Sequence, residues 1–265
     1  MARIITIANN KGGVGKTTTA VSLAVALRNR GYDVLIIDYD GQANVTDTLR
    51  VPTDGGTTYD ALKGRTTPYV KPARIMTPGE GAGVLDVLPS CIDLSALETE
   101  LSNQPDRVTR FSAVAEKYAD KYDAVIVDTP PTLGLLTISA LYAADDVIIA
   151  VQPQYLAVKG LLTLNGTIET VRANRGGEKV NVYVLFAQYD RRKGLHRLTV
   201  EQVTAAGFRA FDTKIRENVA LAEAPAAGLD IFRYAPRSNG ARDYDDLTTE
   251  YLNGHKLRHI NHKYK

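Results

Sequence analysis

The chain has 265 residues, of which 44% are hydrophobic and 23% charged, and its formal net charge is +2. This size suits one α/β domain or two small ones with a substantial core, and the composition is that of an ordinary globular protein. The single cysteine, Cys91, excludes an internal disulfide framework and any site built on a cysteine pair. No apolar run approaches the ~18 residues of a membrane span, so we expect a cytoplasmic protein.

Short apolar runs alternate with helix-like stretches, which is typical of a doubly wound, mostly parallel sheet with helices on both faces. The predicted strands are Arg3–Ala8, Asp33–Asp38, Val84–Leu88, Ala124–Asp128, Val147–Val151 and Val180–Phe186. The predicted helices are Thr17–Asn29, Ser95–Leu101, Arg107–Tyr118, Leu133–Ala143 and Lys159–Arg172. Residues 52–83 are predicted as a surface excursion with one short helix near 59–63, and the basic tail as a last helix turn with a frayed end.

The first strand leads into NNKGGVGKTTTA, residues 9–20, and this strand–loop–helix context indicates a phosphate-binding loop. Lys16 is expected against the β- and γ-phosphates, and the Thr17 hydroxyl on Mg²⁺. Backbone N–H groups at the start of a helix can wrap phosphates; those predicted to do so belong to Gly12, Gly13, Val14, Gly15, Lys16, Thr17 and Thr18. The usual pattern has a glycine where Asn10 stands, and it lacks the second cation, Lys11.

Three carboxylates end or follow predicted strands. Asp38 and Asp40 lie in VLIIDYDGQAN, and Asp128 ends YDAVIVD. The carboxyl ends of parallel strands face the ligand crevice of an open α/β sheet. Asp128 is therefore predicted to hold Mg²⁺ together with Thr17, whereas Asp38 is equally consistent with bracing the following loop.

The loop KGGVGKTT resembles the deviant Walker loop of the ParA/MinD superfamily. Longer stretches resemble its partition ATPases, closest to the short, Soj-like ParA proteins. These stretches are DYDGQANVT, GVLDVLPSCIDLSALETEL, YDAVIVDTPPTLGLLTISAL, AVQPQYLAVKGL and NVALAEAPAAGLDIFRYAPRSNGARDYDDLTTEYL. They cover nearly the whole chain, so the resemblance implies a single ParA-like ATPase domain over residues 1–265 with the fold of a P-loop NTPase.

The resemblance also implies a mechanism. ATP and Mg²⁺ would close a sandwich homodimer, in which Lys11 contacts the partner's phosphates and acts in catalysis like an arginine finger. Lys16 and Asp40 would be the other catalytic groups, Asp40 orienting the attacking water and contributing to the metal site. The dimer would bind DNA without sequence preference, associate with the nucleoid and hydrolyse ATP weakly until DNA and a ParB-like partner stimulate it.

The expected DNA-binding side chains lie in the C-terminal third, where 14 Lys and Arg stand against 10 Asp and Glu between Gln188 and Lys265. The segment YDRRKGLHRL resembles the family's DNA-facing loop. The predicted DNA-binding residues are Arg191, Arg192, Lys193, Arg197 and Arg216.

One family motif is altered in a way that bears on DNA binding. IRENVA at residues 215–220 places Glu217 and Ala220 where the family has arginines. Weaker DNA binding than in a typical relative is therefore expected. The adenine is expected near Gln188–Asp190 and Asp212–Arg216, with Gln188 counted among the nucleotide-binding residues.

Three alternatives remain open from the sequence. A ParA-like positioner of a protein cargo would look the same, because the partner chooses the cargo. A MinD-like membrane-cycling ATPase would need an amphipathic tail, and KLRHINHKYK offers only Leu257, Ile260 and Tyr264 as anchors, so no stable membrane association is expected. An ATP-dependent amide-forming or carboxylating synthetase would need a substrate pocket beyond the nucleotide site.

Overall fold

The computed structural model describes residues 1–63, 69–76, 81–177, 179–255 and 257. The strands are β1 Arg3–Ala8, β2 Val34–Asp38, β3 Ala73–Met76, β4 Leu85–Leu88, β5 Ala124–Asp128, β6 Asp146–Val151 and β7 Asn181–Phe186. The helices are α1 Lys16–Asn29, α2 Asn44–Thr48, α3 Thr58–Leu62, α4 Leu94–Leu101, α5 Arg110–Ala119, α6 Leu135–Ala143, α7 Ala157–Asn174, α8 Gly194–Ala205, α9 Val219–Ala227, α10 Ile231–Tyr234 and α11 Asn239–Gly254.

The strands form one seven-stranded sheet in the order β3-β4-β2-β5-β1-β6-β7. Every neighbouring pair is parallel except β3 and β4. From β1 the chain crosses to β2 on one side, returns to β5 between them, and then crosses β1 to reach β6 and β7 on the other side. The direction of winding therefore reverses at β1 and β5, and ligands of open α/β sheets bind at such a reversal. In register, Ile7 of β1 and Asp38 of β2 both stand opposite Asp128 of β5. The predicted doubly wound, mostly parallel fold is confirmed.

Alternate side chains of the central strands enter two different cores. Ile36 packs with α1 and α11, whereas Leu35 and Ile37 pack with α4, α5 and α6. Because successive side chains of a strand point to opposite faces, the sheet is covered by helices on both sides. All five residues of β2 and of β5 are buried, which explains why their sequences are continuous apolar runs.

Residues 52–83 contain more structure than the sequence predicted. The expected short helix is present as α3, but Ala73–Met76 adds an antiparallel edge strand, β3, to the sheet. Its side chains are half-buried or exposed, and its pairing with β4 is irregular between Arg74 and Met76. A short, partly exposed edge strand of this kind lacks the continuous apolar run from which a strand could be predicted.

Several element ends differ from the predictions by a few residues. Asp33 lies just outside β2, and its carboxylate accepts a hydrogen bond from the Val84 backbone N–H. Helix α5 begins at Arg110, after a turn, and not at Arg107. The predicted last turn and end of the tail, at residue 256 and residues 258–265, lie outside the described residues.

Helix α11 anchors the C-terminal part of the chain to α1. Its buried Tyr244, Leu247 and Tyr251 recur at helical spacing and join the core that contains α1. The Tyr244 hydroxyl lies 3.1 Å from the Thr19 hydroxyl inside that core. In the part of the chain that the structure describes, no helix is both long and apolar enough to cross a membrane.

Candidate nucleotide-binding site

The loop between β1 and α1 places backbone N–H groups at the predicted phosphate site. Gly13 and Gly15 adopt φ of 71° and 90°, a left-handed conformation that glycine adopts without strain. Gly15 precedes α1, and no side chain of the described residues caps that helix end. The first N–H groups of a helix lack partners within the helix and favour an anion, so the loop fits a phosphate group.

Lys16 extends from the first residue of α1 back across the loop. Its Nζ donates a hydrogen bond to the Lys11 carbonyl oxygen at 3.1 Å, and the residue is only 7% exposed. Burial lowers the pKa of Lys16, while the nearby carboxylates of Asp128 and Asp40 act in the opposite direction. A phosphate in the loop would supply the missing negative charge beside this buried ammonium group.

Thr17 and Asp128 form a pair suited to Mg²⁺. The Thr17 hydroxyl donates to one Asp128 carboxylate oxygen at 2.7 Å. Among the described residues the other oxygen, Oδ1, has no hydrogen-bond partner although it is buried. Burial raises the pKa of Asp128 to about 8, and the neighbouring Asp38 adds to the shift. Hydroxyl and carboxylate oxygens are ligands that Mg²⁺ prefers, and a cation would compensate the buried charge.

Asp38 and Asp40 have different environments. Asp38 is fully buried, and one of its oxygens accepts from both the backbone N–H of Thr46, at 2.9 Å, and the Thr46 hydroxyl, at 2.7 Å. Burial raises its pKa to about 7. These contacts favour the loop-bracing interpretation of Asp38. Asp40 lies in the loop after β2, where its Oδ1 accepts from the Gln42 N–H at 2.9 Å.

Lys11 points away from the site that Lys16 enters. Its side chain is exposed, and its Nζ contacts the Gln154 side-chain oxygen. Asn9 fixes this end of the loop, because its side chain accepts from the Lys11 N–H at 3.0 Å and donates to the Ala150 carbonyl at 2.6 Å. Gln154 was not among the predicted site residues, although it lies within the AVQPQYLAVKGL stretch that carries part of the family resemblance.

Gln188 brings the end of β7 to the phosphate loop. Its side-chain nitrogen donates to the Gly13 carbonyl at 2.8 Å, and its φ is 53°. A positive φ is uncommon for a residue other than glycine and marks a constrained position. A cleft of about 210 Å³ also opens beside the loop, between α1, α2, α9 and α10. Its walls include Thr17, Thr18, Asn44, Leu221 and Asp230, so they do not come from the segments predicted to hold adenine.

The predicted DNA-binding residues form one surface next to Gln188, here called the basic surface: Arg191, Arg192, Lys193, Arg197 and Arg216. The first four lie at or near the start of α8. Arg216 joins them because its backbone bridges to that of Tyr189.

Three cations of the basic surface are paired with carboxylates. Arg192 makes two hydrogen bonds to Asp190, of 3.0 and 2.9 Å. Lys193 Nζ lies 3.0 Å from a Glu217 oxygen, and Arg216 donates through two nitrogens to Asp243. The Arg197 guanidinium instead donates to the Arg191 carbonyl at 2.7 Å.

The sequence matches an AAA domain family model over residues 2–181. It is 39% identical over 256 residues to the sporulation initiation inhibitor protein Soj of Bacillus subtilis, covering 94% of this chain and 98% of that protein. It is 36% identical over 253 residues to the chromosome-partitioning ATPase Soj of Treponema pallidum, covering 95% and 98%. The chain belongs to the ParA/MinD superfamily of ATPases and is similar to its Soj-like members.

Solved structures agree with this membership in the superfamily. A cobyrinic acid a,c-diamide synthase from Mycobacterium smegmatis with bound ADP and magnesium is similar, with a TM-score of 0.76 and 27% identity, covering 98% of this chain and all of that one. The septum site-determining protein MinD of Pyrococcus horikoshii shares the fold, with a TM-score of 0.74 at 24% identity over 95% and 96% of the two chains. As a ParA/MinD ATPase, the chain uses ATP and Mg²⁺.

Proposed function

We propose that this partition ATPase forms a homodimer around ATP and Mg²⁺, binds duplex DNA without sequence preference in that form, and positions DNA cargo with a ParB-like partner that stimulates hydrolysis. Residues 1–265 would act as one domain, associated with the nucleoid. The names of the relatives support the cargo class, because the Treponema protein is a chromosome-partitioning ATPase and the Caulobacter vibrioides relative, 36% identical, is a chromosome partitioning protein.

The observation that carries the dimer is the opposite orientation of the two loop lysines. Lys16 is buried and turns into its own loop, whereas Lys11 is exposed and turns outward to Gln154. Two ammonium groups near one phosphate chain repel each other unless phosphate charge lies between them. A lysine that turns away from its own site would instead reach the phosphates of a second protomer. A cation contributed in trans stabilises the charge that develops on the transferred phosphoryl group.

The remaining residues fall into simple roles. Gly12 to Thr18 and Lys16 hold the phosphates, while Thr17 and Asp128 hold Mg²⁺, which neutralises phosphate charge when bound. Asp40 orients the attacking water and assists at the metal site. Its Oδ1 accepts from the Gln42 N–H, and within the described residues no hydrogen bond engages its other oxygen, which can therefore orient the water. Gln188, which contacts the loop at Gly13, completes the nucleotide site.

DNA binding rests on the basic surface and on dimerisation. Each protomer offers five cations there, and a dimer doubles the number of phosphates that the surface can neutralise. Affinity falls with salt with a slope of about −0.9 per phosphate neutralised. Fluorescence anisotropy on random duplex DNA across a salt series, with and without ATP and Mg²⁺, therefore tests the proposal.

For this assay we predict ATP-dependent binding that Arg192→Ala weakens about equally on all sequences, because hydrogen bonds to phosphate carry no sequence information. The salt slope should become shallower by about 0.9 for each phosphate that the variant no longer neutralises. Arg107→Ala, an exposed arginine in the turn before α5, is the charge-matched control and should bind like the wild type. Absence of ATP-dependent DNA binding at low salt would overturn the DNA mechanism and favour a protein or membrane surface as the site where the dimer assembles.

A further inference from the structure

Acidic residues offset much of the charge of the basic surface. Of its five cations, Arg192, Lys193 and Arg216 each contact a carboxylate within the chain. A DNA phosphate that approaches this surface must therefore displace or coexist with a carboxylate. The three pairs differ in how readily they can open.

The Arg216 pair is firmly built. Its partner Asp243 lies on α11 with a side chain only 6% exposed, and Asp243 also accepts from the Arg216 backbone N–H at 2.8 Å. Opening this pair would leave a buried carboxylate without its cation, which is strongly unfavourable. Asp190 also accepts from both the backbone and the guanidinium of Arg192 within one tight turn. The Arg192 side chain is 86% exposed, so it can face a phosphate while it stays paired with Asp190.

The Lys193–Glu217 pair is different. A single contact of 3.0 Å joins the two side chains, which are 50% and 64% exposed. Exposed single-contact ion pairs are weak and are screened by salt. The Glu217 backbone is nevertheless fixed, since its N–H donates to the Tyr189 carbonyl at 3.1 Å. The carboxylate is thus held beside Lys193 but can release it.

We propose that Glu217 competes with DNA phosphate for Lys193 and thereby sets the DNA affinity of the dimer below what its basic residues alone would give. This inference rests on the proposed function, because it concerns the same DNA surface. When a DNA phosphate pairs with Lys193, the Glu217 carboxylate loses its partner but stays close to the phosphate. The electrostatic free energy gained by neutralising the phosphate is therefore smaller. A weak, exchangeable pair lets the protein leave DNA readily while it keeps its nonspecific binding.

The test is Glu217→Gln, measured by anisotropy on random duplex DNA with saturating ATP and Mg²⁺. The amide keeps the shape of the side chain and removes its charge. We expect DNA binding to tighten about 2- to 30-fold, the combined effect of freeing one exposed ion pair in each of two protomers. The salt slope should steepen by up to about 0.9 per protomer. Glu116→Gln on α5, also exposed, makes the same change in net charge and should bind like the wild type.

The same substitution in a Lys193→Ala background separates competition from simple repulsion of DNA. If Glu217 acts through Lys193, Glu217→Gln changes binding little once Lys193 is absent. Equal tightening in both backgrounds, or no tightening in the wild-type background, would overturn the proposal. Wild-type protein that binds DNA with ATP while Glu217→Gln does not tighten would leave the proposed function intact. Failure of every variant to bind DNA would refute the proposed function itself.

Discussion

Two buried carboxylates stand side by side beneath the phosphate loop. Asp38 and Asp128 occupy paired positions on β2 and β5, both are fully buried, and burial raises the pKa of Asp38 to about 7 and that of Asp128 to about 8. Asp38 is satisfied by Thr46, whereas Asp128 has one oxygen unpaired among the described residues. The protein without metal is therefore strained at this point when both groups are ionised.

The raised pKa of Asp128 predicts how stability depends on pH. Between the ordinary value of 3.8 and about 8, the folded protein retains a proton that the unfolded chain has released, so the free energy of unfolding falls as pH rises through this window. Asp128→Asn removes the contribution of Asp128 to this dependence, while that of Asp38 remains. Without metal, its melting temperature should match that of the wild type near pH 4 and exceed it at pH 8, by about 2–4 °C for each kcal/mol of relieved strain.

Thermal melts with and without Mg²⁺ and ATP measure both sides of this prediction. Ligands that bind only the folded state stabilise it, so the wild type should gain from Mg²⁺ and ATP, and Asp128→Asn should gain much less. A stability difference that is constant from pH 4 to pH 8 would contradict protonation of Asp128. An undiminished gain from Mg²⁺ would remove Asp128 from the metal site.

At the scale of elements, α11 is attached to the sheet through a buried polar network. The Asp146 carboxylate of β6 accepts from Arg3 at 2.7 Å, from Asn181 at 2.7 Å and from the Tyr251 hydroxyl at 2.6 Å. Burial alone would raise the pKa of Asp146, but the hydrogen bonds from Arg3, Tyr251 and Asn181 outweigh it and lower the pKa. The network keeps α11, which also carries Asp243, in place beside the basic surface.

Tyr251→Phe should destabilise the protein by about 1.5–3 kcal/mol, because it removes a hydrogen bond to a buried charge. Tyr244→Phe is the matched control on the same helix. Among the described residues its hydroxyl contacts the neutral Thr19 hydroxyl alone, at 3.1 Å, so the destabilisation should be smaller, about 0.5–1.5 kcal/mol. Urea unfolding gives both values. Equal destabilisation by the two substitutions would show that the hydrogen bond from Tyr251 to the Asp146 carboxylate stabilises the protein no more than the neutral one from Tyr244.

The elements that the sequence predicted best are those whose local pattern decides their structure. Strands β2 and β5 are buried along their full length, so their apolar runs are unambiguous. The phosphate loop is contiguous, and Thr17 and Asp128, each predicted to serve Mg²⁺, lie within hydrogen-bond distance of each other. Strand β3 escaped prediction because it pairs at an edge and buries little. The Lys193–Glu217 pair joins residues 24 positions apart in the sequence, and no local sequence pattern predicts a contact at that separation.

In the molecule as a whole, each ATP site of the proposed dimer is completed by a second copy of the chain. Lys11 lies at the surface of its own loop, and exposed apolar side chains accompany it: Tyr155 is 84% exposed and Leu156 65% exposed, directly after its contact Gln154. These residues occupy the surface that a partner would cover. In the proposed dimer, Lys11 therefore completes the partner's ATP site, whereas Asp40 acts in the ATP site of its own protomer.

Mixing two variants tests this division most directly. Lys11→Ala and Asp40→Ala should each hydrolyse ATP slowly on their own, in the presence of DNA. In a mixed dimer, the site on the Lys11→Ala protomer keeps its own Asp40 and receives Lys11 from the partner, so it is complete. An equal mixture should recover about one quarter of the wild-type rate, because about half of the dimers are mixed and each holds one complete site of two. If Lys11 acts within its own protomer, no mixed dimer has a complete site. A mixture that hydrolyses ATP no faster than either variant alone would therefore contradict the action of Lys11 in the partner's site.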